Sequence, residues 1–207
     1  MIESLYSLDD EYRRQYGQVL CGVDEAGRGP LAGPVCCAAV ILLAETRLYG
    51  LNDSKQLTER VRERLYEEIM DCCLAYRVVM IGNETIDRLN ILNATMLGMS
   101  QAVGRLDPAP DTVLVDGNRV PGLGMRCFSI VGGDAMSASI AAASVLAKVS
   151  RDRHMTELDD RYPGYGFARH KGYATAQHYE AIERLGVTPV HRRSFKLYRE
   201  TQLSLFQ

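Results

Sequence analysis

The sequence carries no surplus of positive charge. Its formal net charge is -2, whereas a dedicated nucleic-acid binder is normally basic, so a polyanionic partner would have to be met by a local patch. No apolar run approaches the ~20 residues needed to cross a bilayer, and Met1-Ile2-Glu3-Ser4-Leu5 has no basic stretch ahead of an apolar core. Neither a membrane span nor a secretory leader is therefore expected. Six cysteines are present without a single Cys-x-x-Cys spacing, which argues against a zinc knuckle or a dithiol redox motif. Free, buried thiols in a reducing cytoplasm are the expectation. Also missing are the His-Glu-x-x-His pattern of zinc peptidases and the Gly-x-x-x-x-Gly-Lys-Ser/Thr loop of nucleotide-binding enzymes.

What is present is the makeup of an ordinary globular chain, 46% hydrophobic and 24% charged over 207 residues. That suits one sizeable core with a terminal extension. An N-cap and first-turn acids at residues 7–11 open a short helix that Gly17 can end. Residues 19–26 and 34–42 read as two strands joined by a Gly/Pro-rich turn, apolar enough to be covered on both faces. Leu57, Val61, Leu65, Ile69 and Cys73 recur at helical spacing, with Thr58 as cap. After a strand over 76–81, the apolar positions from Ile86 to Leu106 predict one long amphipathic helix whose methionines fill core. Strands over 112–116 and 127–131 and an Ala/Ser-rich helix from about Ser137 complete an alternation that implies a mixed sheet flanked by helices.

Acids stand at the ends of these strands. Asp24 and Glu25 close the first, Asp116-Gly117 the fourth, and Gly132-Gly133-Asp134 follows the fifth. Crevices in open α/β sheets lie beyond strand ends, and four carboxylates gathered there would repel one another unless hard divalent cations intervened. Adjacent residues of a strand face opposite ways, so Asp24 and Glu25 share one site only if the strand ends there. Gly27 and Gly29, flanking Arg28, allow a close backbone approach to a ligand, although a hairpin turn with solvated charges has the same composition. The loop at residues 162–173 mixes glycines, aromatics and cations. It fits either a sugar- and phosphate-holding surface or a structured loop. The basic run at residues 191–196 fits a phosphate-binding patch or a solvated charge cluster.

The stretch Asp24-Glu25-Ala26-Gly27-Arg28-Gly29-Pro30 resembles the signature of the ribonuclease HII family. Asp53-Ser54-Lys55, Asp116-Gly117, Gly133-Asp134, Ala143 to Val149, Arg151-Asp152, Tyr165-Gly166, His170-Lys171-Gly172-Tyr173 and His191 to Phe195 then match in order. The resemblance implies an α/β ribonuclease H-like fold, a mixed β-sheet flanked by helices, with a small helical C-terminal part inside a catalytic unit spanning residues 1–198. It also implies an endonuclease acting on RNA-DNA hybrids and on DNA duplexes with an embedded ribonucleotide. Asp24, Glu25, Asp116 and Asp134 are then the catalytic acids that bind two Mn2+ or Mg2+ ions. The Gly27-Arg28-Gly29 turn is implied to read the 2′-hydroxyl, with Tyr165 bonding that hydroxyl and stacking on the next sugar. Ser54, Lys55, Ser144, Lys148, Arg169, Lys171 and Arg192 are candidate phosphate contacts.

Many relatives carry a lysine where this chain has Gly132, so phosphate contact there is expected to be weaker. The last nine residues, 199–207, form a tail in which Gln202, Leu203, Leu205 and Phe206 resemble a peptide that docks on the bacterial sliding clamp. Nothing demands more than a monomer. Two rival readings have less support. A sugar kinase or ATPase also places an acid and glycines after its first strand, but the further phosphate loops it needs are missing. A clamp-tethered nucleic-acid binder without catalysis gains nothing from concentrating acids where phosphate must sit.

Overall fold

A computed structural model describes residues 2–198. Among them, five strands form one sheet: β1 (Leu20–Ala26), β2 (Val35–Leu42), β3 (Cys73–Ile81), β4 (Thr112–Asp116) and β5 (Arg126–Ile130). The order is β3-β2-β1-β4-β5. The first three run as an antiparallel meander, while β4 joins β1 and β5 joins β4 in parallel. The helices are α1 (Ile2–Tyr16), α2 (Glu59–Cys72), α3 (Asn83–Leu89), α4 (Ile91–Val103), α5 (Ala138–Arg161), α6 (Phe167–His170) and α7 (Ala176–Leu185).

The expected double coverage of the sheet is seen most clearly in β2, which is buried along its whole length. Its alternate residues Cys36, Ala38, Val40 and Leu42 pack with α1, α2 and α5. Cys37, Ala39 and Ile41 face the opposite layer, built from α3 and α4. The two-residue period of a strand thus feeds two separate apolar layers, and each large aliphatic side chain buried in them contributes ~1.5–3 kcal/mol. The six cysteines are all free thiols.

Helix α5 lies unusually close to β1. A Cβ on Gly22 would fall 2.0 Å from the backbone of Ser139, so only glycine lets the N-terminal turn of α5 rest on the central strand. Asp9 of α1 secures that turn from outside, accepting from the Ser137 hydroxyl at 2.5 Å, the Ser139 hydroxyl at 2.6 Å and the Ser139 amide at 2.8 Å. Thr58 caps α2 as expected.

One expectation is corrected. The amphipathic pattern from Ile86 to Leu106 is two helices, broken at Asn90, whose φ is 67°. The Asn90 carboxamide restarts the backbone ladder by accepting from the Asn93 amide at 3.0 Å, as an N-cap does. A smaller apolar cluster joins Met155 and Leu158 of α5 to Phe167, Ala181 and Ile182. It forms the helical C-terminal part, which packs behind the turn between β1 and β2.

Candidate active site

In the register of β1 and β4, Val23 lies beside Val115, so the next residues, Asp24 and Asp116, emerge side by side at the carboxyl ends of two parallel strands. The strand β1 ends at Ala26, as expected, one residue past Glu25. Asp24 faces α5, and Glu25 lies on the α4 side of the pleat. Both nevertheless line one cleft of about 300 Å³, together with Asp116, Gly27, Arg28, Gly29, Ser54, Lys55, Ser144, Lys148 and Tyr173. Glu25, Arg28 and Asp116 also border a second hollow of about 190 Å³ against Leu92, Met96 and Met99 of α4.

Asp134 sits in a 3₁₀ turn, Gly133–Ala135, tied to β4 by the Gly133 amide, which donates to the Asp116 carboxylate at 2.7 Å. Its own carboxylate is bonded by the Lys55 ammonium at 3.1 Å, and Asp53 lies 4.0 Å from the same ammonium. Glu25 pairs with Arg28 at 3.2 Å. The acids are thus spread onto neighbouring cations, and among the described residues no three carboxylates close into a compact ligand cage. Their protonation shows the stress. Burial, with Glu25 and Asp116 adding repulsion, pushes Asp24 well above the ordinary carboxylate range. Burial also raises Glu25, against the Arg28 pair, and Asp134, against Lys55. Oxygen-only donors with charge in excess suit hard divalent cations.

Behind the acids, the Gly27-Arg28-Gly29 turn rests on two buried arginines. Arg192, fully buried, donates to the carbonyls of Gly27 at 2.6 Å, Arg28 at 2.9 Å and Gly33 at 2.9 Å. Arg151 donates to the carbonyls of Pro34, Lys171 and Ala32. A Cβ on Gly27, at φ 93°, would lie 1.9 Å from the Arg151 Nε. Burial lowers Arg192 to about 9, with repulsion from Arg151 contributing, and it stays protonated at neutral pH. In a trans peptide the carbonyl and the following N–H point opposite ways. Carbonyls of residues 27 and 28 drawn inward therefore turn the Arg28 and Gly29 amides outward.

Two expected substrate contacts are not where the sequence put them. Arg192 is not at the surface, because its guanidinium is consumed by the turn. Tyr165 is 5% exposed, stacked on Phe167 at 5.3 Å, with its hydroxyl donating to the Gly186 carbonyl at 2.6 Å, so it does not reach the cleft. The exposed ring there is Tyr173, whose edge lies 3.7 Å from the position of a Cβ on Gly29. The Gly-rich loop held both tyrosines, and Tyr173, directly after His170-Lys171-Gly172, was the available signal.

Ser54 and Ser144 bond each other at 2.8 Å on the cleft wall, and the Ser144 hydroxyl also serves Asp24. Lys148 lines the cleft, paired with Asp152, and Lys171 is turned to Thr156 and the Asp152 carbonyl. Arg169 is exposed on α6, outside the cleft lining. Gly132 has a left-handed backbone, φ 67°, and a Cβ there would meet nothing within 4 Å. Gln202, Leu203, Leu205 and Phe206 lie outside the described residues. No described helix is long and apolar enough to cross a membrane.

The profile of the family described as Ribonuclease HII matches residues 21–198. A Ribonuclease HII from Shewanella amazonensis is 57% identical over 186 residues, which is 90% of each chain. Among solved structures, the ribonuclease H2 of Pyrococcus horikoshii superimposes with a TM-score of 0.73 at 27% identity, over 86% of this chain and 94% of the other. The Archaeoglobus fulgidus RNase HII, solved in a complex with PCNA, gives 0.75 at 27% identity, over 89% and 98%.

Proposed function

Since the chain belongs to the ribonuclease HII family and is a ribonuclease H endonuclease, we propose that its cleft nicks duplex DNA on the 5′ side of a single embedded ribonucleotide. It also hydrolyses the RNA strand of RNA-DNA hybrids, leaving 5′-phosphate and 3′-hydroxyl ends. The observation that carries this reading is the Gly27-Arg28-Gly29 turn itself, which borders the acids, its carbonyls bonded from behind by Arg192, so that peptide planarity turns its amides the other way. Fixed backbone donors at a Gly29 that carries no side chain of its own suit a 2′-hydroxyl, the group that distinguishes RNA from DNA.

Tyr173 takes the part expected of Tyr165. Its ring stands against Gly29 and packs on the sugar following the ribose, where an additional hydroxyl would be crowded. Arg28, Lys55 and Lys148 supply the positive rim that the net charge withholds, and the Ser54-Ser144 pair orients Asp24. Asp24, Glu25, Asp116 and Asp134 would hold Mn2+ or Mg2+. What such cations supply when bound as a pair is activation of the attacking water and stabilisation of charge on the leaving 3′ oxygen. The non-catalytic binder is disfavoured because a binder has no use for carboxylates buried together where phosphate must sit.

An end-labelled duplex with one ribonucleotide tests the reading. A nick 5′ of that position, lost on Asp116→Asn, is expected; cutting elsewhere, or equal cutting of all-DNA duplex, overturns it. We also propose that the tail docks on a sliding clamp, since a family member is solved with PCNA. Deletion of residues 202–207 should abolish clamp binding in calorimetry, and unchanged affinity ends that idea.

A further inference from the structure

Three histidines are buried together behind the cleft and take no part in the chemistry above. His170, His178 and His191 are 8%, 0% and 1% exposed. The rings of His170 and His178 stack at 4.5 Å, and Phe167 meets His178 edge-on at 5.5 Å. Their hydrogen bonds determine which nitrogens carry protons. The Thr188 amide, which can only donate, reaches His191 Nδ1 at 2.9 Å, so a neutral His191 carries its proton on Nε2. The Tyr173 carbonyl, which can only accept, lies 2.9 Å from His178 Nδ1, so that nitrogen carries the proton of His178. The facing nitrogens, His191 Nε2 and His178 Nε2, are 3.1 Å apart. They therefore meet as donor and acceptor. Two independent ends prescribe the same neutral chain, running from the Thr188 amide through both rings to Tyr173.

The chain connects the two walls of the cleft. At one end, His191 forms an isolated bridge with Ala32 and directly precedes Arg192, whose guanidinium sets the Gly27-Arg28-Gly29 turn. At the other, His178 grips the backbone of Tyr173, while the Gly172 amide donates to His170 Nδ1 at 3.2 Å and the Leu31 amide to the Gly172 carbonyl at 2.8 Å. We propose that His178 and His191 are positioning residues that set the gap between Gly29 and the Tyr173 ring, and so tune discrimination at the ribose-deoxyribose junction. The inference rests on the reading that Tyr173 packs on the sugar.

A double-mutant cycle on the single-ribonucleotide duplex, with kcat and KM resolved, tests it. Tyr173→Ala should lower kcat by about ten- to a hundredfold, as misplaced reacting groups do. His178→Phe keeps an aromatic ring but cannot donate to the Tyr173 carbonyl. It should lower kcat about tenfold with KM little changed, and add nothing in the Tyr173→Ala background. His178→Asn, which restores a donor near the Nδ1 position, should recover most of the loss. Multiplicative losses in the double variant, or equal losses for Phe and Asn, overturn the relay while leaving the Tyr173 reading intact. A Tyr173→Ala variant with normal junction preference overturns that reading and the relay with it. The wild-type protein gives a check that needs no variant to fold: imidazole 15N shifts should report His178 protonated at Nδ1 and His191 at Nε2. The opposite tautomer in either ring overturns the proposal.

Discussion

Replacing Asp24 by Asn should raise stability while removing activity. The Asp24 side chain is 4% exposed, accepts from the Glu25 amide at 2.6 Å, and faces Glu25 and Asp116 as like charges. Asparagine has the same shape and keeps the acceptor for that amide. Its new NH2 group meets the Ser144 hydroxyl, which can accept because it also has Ser54 as partner. One rearranged hydrogen bond costs about 1 kcal/mol, whereas relief of a buried charge crowded by two others is larger, so a net gain of about 1–3 kcal/mol is expected. In a chain of this length that is roughly 2–12 °C in Tm. The gain has a pH signature. A carboxylate whose folded-state pKa is raised loses its stabilising protonation as pH climbs through that value, so the advantage of the Asp24→Asn variant should open on going from acid to neutral pH and be small at low pH. Melting curves in chelator across that range, beside cleavage assays expected to fall roughly 10³-fold or more, test both halves. A lower Tm for the variant at neutral pH, or a pH-independent difference, would mean that Asp24 carries no unfavourable charge in the fold.

Arg192→Met should remove three buried carbonyl partners, costing about 3 kcal/mol or more in urea unfolding, and should reduce the preference for a ribonucleotide over a deoxyribonucleotide. A surface variant's loss of under ~0.5 kcal/mol would place Arg192 at the surface after all. Gly132→Lys should lower KM for duplex substrate by adding a cation beside Asp134, at about 1 kcal/mol of backbone strain visible in the melt. An unchanged KM would show that the position lies off the phosphate path. His178 is lowered to about 4 by burial, with His170 and His191 also opposing its charge and the Tyr173 carbonyl favouring it; Phe167 faces it without charge. Because the unfolded chain takes up the proton first, the stability of wild type relative to His178→Asn should fall between pH 6.5 and 4, by at most on the order of 3 kcal/mol. A flat difference across that window would mean that the folded ring takes up its proton as readily as the unfolded one.

Local grammar made much of the fold legible. Strand ends marked by Asp24-Glu25 and Asp116-Gly117 pointed to one end of the sheet, and parallel pairing of β1 with β4 places Asp24 beside Asp116. What misled was decided by distant contacts. Helical periodicity runs smoothly through Asn90, since Ile86 and Met96 keep their spacing whether or not the backbone turns between them. Tyr165 and Tyr173 share one loop, and the choice between them depends on Phe167 and on a carbonyl at Gly186. Arg192 reads as one more surface cation because its partners, Gly27 and Arg28, lie more than 160 positions earlier. Arg151 stands among Lys148, Asp152 and Arg153 and reads as one more helix-surface charge, and only the carbonyls of residues 32, 34 and 171 reveal its use. The spread of Glu25 onto Arg28 and Asp134 onto Lys55 follows from charge balance in three dimensions, which spacing does not encode.

We propose that the Gly27-Arg28-Gly29 turn, held by the buried Arg192, recognises the 2′-hydroxyl beside the cut. The most direct measurement compares single-turnover cleavage of duplexes that differ at one nucleotide only, carrying 2′-hydroxyl, 2′-fluoro or 2′-deoxy. Rapid nicking 5′ of the ribonucleotide is predicted, with a loss of at least about a hundredfold, ~2.7 kcal/mol, for both analogues. Cleavage of the 2′-fluoro or 2′-deoxy duplex at a comparable rate would contradict it.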